Sequence, residues 1–159
     1  MWRLMAAGRK KAAGQAVAPL PDYMLGEQIG HLLRKAYQRH TAIFQQTMGE
    51  DGLTAVQFAV MVTIHEAGTV ALTRISQLTA IDLATLRGIV ARLGERDLVV
   101  VEHNASDRRQ RLASLTKQGE ELVKRDLPLA ARITELTLVP LDACERIAAI
   151  QVLKKLAGE

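Results

Sequence analysis

The side chains able to do chemistry in this sequence fall into two groups, scattered histidines and clustered arginines. His31, His40, His65 and His103 stand apart from one another, and the single cysteine is Cys144. There is no H-E-x-x-H, no cysteine cluster, no G-x-S-x-G, no P-loop and no dinucleotide fingerprint. That pattern argues against an enzyme and implies no cofactor and no metal. In SDRRQRLASLT, Ser106 to Thr116, Arg108, Arg109 and Arg111 crowd beside Asp107, just ahead of a strand-like segment. Arg87 and Arg92 lie upstream on a separate segment. A guanidinium presents a rigid fork of donors that matches phosphate oxygens or the O6 and N7 of guanine. The chemistry on offer is therefore recognition of anions, above all of nucleic acid.

The elements that must hold these arginines can be read from periodicity. Thr54 with Gln57 is a capping-box pattern and opens a helix to about Glu66, with Gly68 as its stop. Leu72 to Leu78 is a short helix, and Thr79-Ala80-Ile81 is a tight turn. Asp82 is an N-cap for a second helix, Leu83 to about Glu95. Leu86, Ile89, Val90 and Leu93 follow helical spacing and must face inward. The opposite face carries Ala84, Thr85, Arg87, Gly88, Ala91 and Arg92. Leu98 to Val101 has strand character, Asn104 to Asp107 is turn chemistry, and Arg111 to Leu115 is the return strand. Helix, turn, helix and basic hairpin, in that order, describe a winged helix-turn-helix. Its second helix enters the major groove, with Leu83, Ala84, Thr85, Arg87 and Gly88 at base edges and Arg92 nearer a phosphate. Arg109 is the candidate for the minor groove, with Arg108 and Arg111 on the backbone. Asp107 is expected to pair with Arg109 and pre-order the loop.

Outside residues 54–116 the sequence is helical. One helix is expected from Tyr23 to Met48, with a stripe of Leu25, Ile29, Leu32, Leu33, Ala36, Tyr37, Ile43 and Phe44. Another starts at Lys117 behind Thr116, with Pro128 expected to kink or split it. A last one follows Pro140 and Asp142, with Ile147, Ala148, Ile150, Leu153 and Leu156 on its apolar side. The expected class is mainly α with a small β-hairpin wing.

Composition agrees. The chain has 159 residues, 48% apolar and only 3% aromatic, which favours helices over a β-sandwich. The net charge is +4, but residues 1–21 hold Arg3, Arg9, Lys10 and Lys11 and no acid. Removing those four from the 21 basic residues leaves 17 against 17 acids, so only local segregation can make the body basic. Residues 1–21 are expected to be a flexible basic arm. No apolar run reaches the roughly 18 residues that span a membrane, and the N-terminus lacks the core of a signal peptide. One cysteine fits a reducing compartment, so a cytoplasmic protein is expected. Asp142 and Glu145 beside Cys144 disfavour a thiolate, and its expected role is helix packing.

DRRQRLASLTKQG, Asp107 to Gly119, resembles the wing signature of the MarR family (multiple antibiotic resistance regulators), and ATLRGIVARL, Ala84 to Leu93, resembles its recognition helix. The likeness in element order runs from about Tyr23 to Leu156. Two positions depart from the family pattern. Asp97 stands where a glycine closes the recognition helix in a left-handed conformation, which Asp tolerates better than most residues. Arg87-Gly88 stands where Ser-Arg is frequent. The resemblance implies a homodimer joined through residues 22–53 and 117–159, and a near-palindromic double-stranded DNA operator. It also implies a repressor released by a small aromatic carboxylate. Candidates for that ligand are Arg39, His40 and His65 as polar groups, with Phe44, Phe58 and Met61 as walls. His40 interrupts an apolar stripe, which fits a ligand contact or a core histidine bonded to backbone. Gln38 to Gln46 and Leu53 to Ala59 resemble regulators of hydroxynicotinate breakdown. Two other readings are a winged helix used only for protein contact and a redox sensor acting through Cys144.

Overall fold

The computed structural model describes residues 23–49 and 52–158, so the expected basic arm lies outside the described residues. A 3-10 turn at Leu25–Glu27 precedes α1 (Ile29–Met48), α2 (Ala55–Ala67) and β1 (Val70–Ala71). Then come α3 (Leu72–Thr79), α4 (Leu83–Glu95), β2 (Val99–His103), β3 (Arg111–Leu115), α5 (Lys117–Leu138) and α6 (Ala143–Ala157). The class is the expected one, mainly α with a small wing.

Local chemistry sets most boundaries. The Thr54 hydroxyl accepts from the Gln57 amide at 3.2 Å and the Gln57 side chain accepts from the Thr54 amide at 2.9 Å, closing the capping box of α2. Asp142 and Glu145 form the same reciprocal pair at the start of α6, each bond 2.9 Å. Asp97 takes φ +55°, as expected of the residue that ends the α4 region in a left-handed turn. Ala80 also sits in that region at φ +53°, in the turn between α3 and α4. A non-glycine residue there costs about 1–2 kcal/mol. Leu86, Ile89, Val90 and Leu93 are all buried, with Leu86 and Leu93 wholly so. They pack with Met61, Ile64, Ile75, Leu98 and Val123 in the core under the helix-turn-helix.

Three expectations need correction. The first helix does not run unbroken from Tyr23, because Gln28 is extended (ψ 123°) and separates the 3-10 turn from α1. Of the kink or split expected at Pro128, the split does not occur, and α5 runs continuously from Lys117 to Leu138. Proline deletes a single backbone donor, which the neighbouring turns and packing against α1 and α2 outweigh. The wing is part of a three-stranded antiparallel sheet of order β1-β3-β2, not an isolated hairpin. β1 pairs Val70 with Ala113 and Ala71 with Leu112. A two-residue strand is too short to leave a periodic signal.

Thr116 joins the helix-turn-helix and wing to α5. Its hydroxyl donates to the Asp97 carbonyl at 2.6 Å and accepts from the Gly119 amide at 3.0 Å. Gly119 lies so close beneath that a Cβ would overlap the Leu98 carbonyl oxygen, so only glycine fits.

Candidate nucleic-acid interface and ligand cleft

Three of the exposed arginines meet in one place. A cleft of about 450 Å³ runs between α4 and the hairpin, and Arg87, Arg109 and Arg111 all line it, with His103 and Ala91. Its base is apolar, from Leu72, Val90 and Val101. A smaller hollow continues toward Thr73, Leu83 and Gln110. Strand pairing explains the hairpin's share. Val101 stands opposite Ala113 and His103 opposite Arg111, and alternation puts both pairs on one face. The inner pair joins the core and the outer pair extends the same face past it.

At the head of α4, the Asp82 carboxylate accepts from the Thr85 amide at 2.9 Å. Hydrogen bonds from the Thr85 side chain and amide hold Asp82 below its ordinary value of 3.8. Ala84, Thr85 and Arg87 are exposed, while Leu83 and Gly88 are half-buried. Arg92 folds back along its own helix, its Nε donating to the Gly88 carbonyl at 3.1 Å.

The wing tip is closed by its own bonds. The Asn104 amide donates to the Gln110 carbonyl at 3.0 Å, and the Gln110 amide to the Asp107 carbonyl at 2.9 Å. The Asn104 side chain accepts from the Ser106 amide at 2.9 Å. The Asp107 carboxylate accepts from the Arg109 amide at 3.0 Å. Asp107 does engage Arg109, but through the backbone N–H and not the guanidinium. The reason is the two-residue offset, which places that amide over the carboxylate in an Asx turn. The Arg109 guanidinium is thereby left to the cleft.

The residues expected around a ligand are distributed over several places. His40 lines a cleft of about 360 Å³ between α1, α2 and the end of α3, together with Tyr37, Ala55, Val56, Ala59, Thr63, Leu78, Thr79 and Ile81. Its Nδ1 lies 3.1 Å from the Thr137 hydroxyl, which donates to the Ile133 carbonyl at 2.8 Å. With the hydroxyl proton on the Ile133 carbonyl, the Nδ1–H tautomer completes the contact to Thr137 and leaves Nε2 as an acceptor. Arg39 turns instead to α5 and donates to the Thr137 and Leu136 carbonyls at 2.6 and 3.1 Å. Phe44 and Phe58 are buried against each other with ring centroids 6.0 Å apart, and Met61 is wholly buried, so all three belong to the core. His65 binds Glu120 of α5 at 2.8 Å. Of the six residues, only His40 reaches the cleft. Ala55, Ala59 and Thr63, at steps of four along one face of α2, were the legible signal for its wall. Cys144 is exposed in the first turn of α6, so the expected packing role is not met among the described residues. Among the described residues there is no cluster able to hold a metal. No described helix is long and apolar enough to cross a membrane.

The chain was compared with known proteins. Residues 53–110 match the profile described as MarR family. A relative named HTH-type transcriptional repressor NicR, from Pseudomonas putida, is 43% identical over 141 residues, covering 87% of this chain and 89% of the relative. A solved structure concerning regulation of DNA binding of Bordetella bronchiseptica BpsR by 6-hydroxynicotinic acid superposes with a TM-score of 0.81. It is 44% identical and covers 87% of this chain and 99% of that one. The PcaV transcriptional regulator from Streptomyces coelicolor, solved with its natural ligand, superposes at 0.79 with 26% identity, over 87% of this chain and 98% of that one.

Proposed function

The chain belongs to the MarR family, and from that premise we propose that it is a transcriptional repressor, binding a near-palindromic operator as a homodimer. The proposed effector is a hydroxypyridine carboxylate of the 6-hydroxynicotinate type, the ligand named for the Bordetella relative. The observation that carries the DNA reading is the meeting of Arg87, Arg109 and Arg111 on one cleft.

In this reading α4 lies in the major groove, which is about 12 Å wide and admits one helix. Leu83, Ala84, Thr85, Arg87 and Gly88 approach base edges, and Arg92 lies near the backbone. Arg109 at the wing enters the minor groove, Arg108 and Arg111 meet phosphates, and Asp107 holds the loop in shape. Residues 54–116 do the reading. Residues 22–53 and 117–159 join two copies, so the protein's two-fold axis matches the operator's. The protein acts by binding and not by catalysis, beside the chromosome in the cytoplasm.

The effector occupies the His40 cleft, which lies where α1 meets the reading head. Its apolar walls suit a flat ring. His40 Nε2 accepts a hydroxyl or ring N–H when the imidazole is neutral, and donates to a carboxylate when it is protonated. A ligand moves an equilibrium only by its different affinity for two states. Binding here releases DNA if the cleft is better formed when the two heads are wrongly spaced for the operator.

The test is titration of the dimer with a duplex from its own upstream region, with salt and effector varied. If six to ten phosphates are covered, log K falls with log salt at about −0.9 per phosphate. 6-Hydroxynicotinic acid should weaken binding and nicotinic acid should not. His40→Ala should keep DNA affinity and lose the response. Binding that ignores salt would favour a winged helix used for protein contact.

A further inference from the structure

His103 is exposed, sits at the outer end of β2, and both of its ring nitrogens are engaged. Nδ1 lies 2.8 Å from the Arg108 carbonyl oxygen in the wing loop. Nε2 lies 3.3 Å from Nη1 of Arg111, its cross-strand partner. The roles follow from what each partner can do. A carbonyl only accepts, so Nδ1 carries the hydrogen. A guanidinium only donates, so Nε2 must be the bare acceptor. Neutral imidazole in the Nδ1–H tautomer satisfies both bonds, and no other form does.

We infer that His103 is a positioning residue of the DNA interface, which ties the wing loop to β2 and aims the Arg111 guanidinium along the cleft toward DNA. The inference rests on the reading of the hairpin as a DNA-contacting wing. Its value to binding is entropic. A free arginine side chain samples many rotamers, and part of that freedom is already lost before DNA arrives. The loop gains as well, because the Arg108 carbonyl is tied on one side while Asp107 holds the Arg109 amide on the other. The other cations facing the same cleft are Arg87 from α4 and Arg109 from the loop. Glu102 lies on the opposite face of β2, and Asp107 is committed to the Arg109 amide. The neutral ring is thus the acceptor that the structure gives Arg111 among like charges.

Two measurements test this on the full-length protein. The first is the nitrogen chemical shifts of His103 at about pH 8.5, two units above the ordinary histidine value of about 6.5. Protonated Nδ1 and bare Nε2 are expected, and the reverse tautomer would overturn the inference without any variant or DNA. The second is a double-mutant cycle on operator affinity. His103→Asn keeps a donor near the Nδ1 position but offers Arg111 no acceptor. Arg111→Ala should weaken binding about tenfold in the wild-type background and less than about threefold in His103→Asn, with thermal melting unchanged in both. Equal losses in both backgrounds would overturn the positioning role alone. No loss in either would overturn it together with the wing reading of Arg111. His103→Gln, which restores an acceptor at the Nε2 position, should recover most of the Arg111 contribution.

Discussion

The reading head and the chain's last helix are built to opposite plans. In α2 to β3 most of the large apolar residues are buried in one cluster, and three exposed arginines face one cleft. α6 is complete locally, with a capping box at one end and Gly158 at φ +84° closing the other, yet none of its residues is buried. Ile147 is 62% exposed and Leu153 51%, and the early half of α1 is similar, with Ile29 at 62% and Tyr37 at 54%. Capping defines where a helix starts and stops but gives it nothing to pack against. An apolar stripe left exposed on α6 and on the early half of α1 fits the proposed homodimer, in which a second copy would cover it. The buried core of the single chain joins α2 to β3 with the end of α1 and with α5, while α6 adds nothing to it.

The sharpest way to break this contrast is at the joint between the two regions. Gly119→Ala forces a Cβ onto the Leu98 carbonyl and should cost about 3 kcal/mol in denaturant unfolding, lowering the head and α5 together. An effect under about 0.5 kcal/mol would mean the joint can shift freely. Next in size is Ile150→Asp on the open stripe of α6. It should weaken dimerisation by about 2 kcal/mol, seen by sedimentation across a dilution series, while a monomeric head keeps its fold by circular dichroism. A variant that unfolds without passing through monomer would erase the division.

A smaller effect separates stability from recognition on α4. A Cβ at position 88 meets only Arg92 at an ordinary 3.6 Å. Gly88→Ala should therefore raise stability by about 0.5–1 kcal/mol, while weakening operator binding if the backbone approaches DNA there. Higher stability with unchanged affinity would remove Gly88 from the interface. Smallest is the pH response of the α4 cap. The folded Asp82 value lies below the unfolded one, so its contribution is present above the ordinary value of 3.8 and is lost as pH falls through the lower folded value. Protection of the Thr85 amide from hydrogen exchange should fall across that window, and should be independent of pH in Asp82→Asn.

Much of the head is legible in sequence because its signals are local. The Thr54 and Asp82 caps, the inward face of α4 and the left-handed Asp97 each depend on residues within one or two turns. The clefts are less legible for the opposite reason. His40 binds Thr137 and His65 binds Glu120, across 97 and 55 positions. His103 looked like one more scattered histidine until Arg108 and Arg111 came round the hairpin to meet it. Arg39 had the right chemistry for a ligand's polar contact and Phe44, Phe58 and Met61 for its walls, but residue type cannot say whether a side chain faces a cavity, a neighbouring helix or the core.

By itself, then, the sequence determined the order of the main helices and the wing strands, the caps of α2, α4, α5 and α6, and the inward face of α4, since neighbours on the chain set those hydrogen bonds and periodicities. Only the tertiary structure decided that three arginines share one cleft, that His103 meets Arg108 and Arg111, and that Gly119 admits no side chain. Those depend on how closely finished elements dock, a distance that no local pattern encodes.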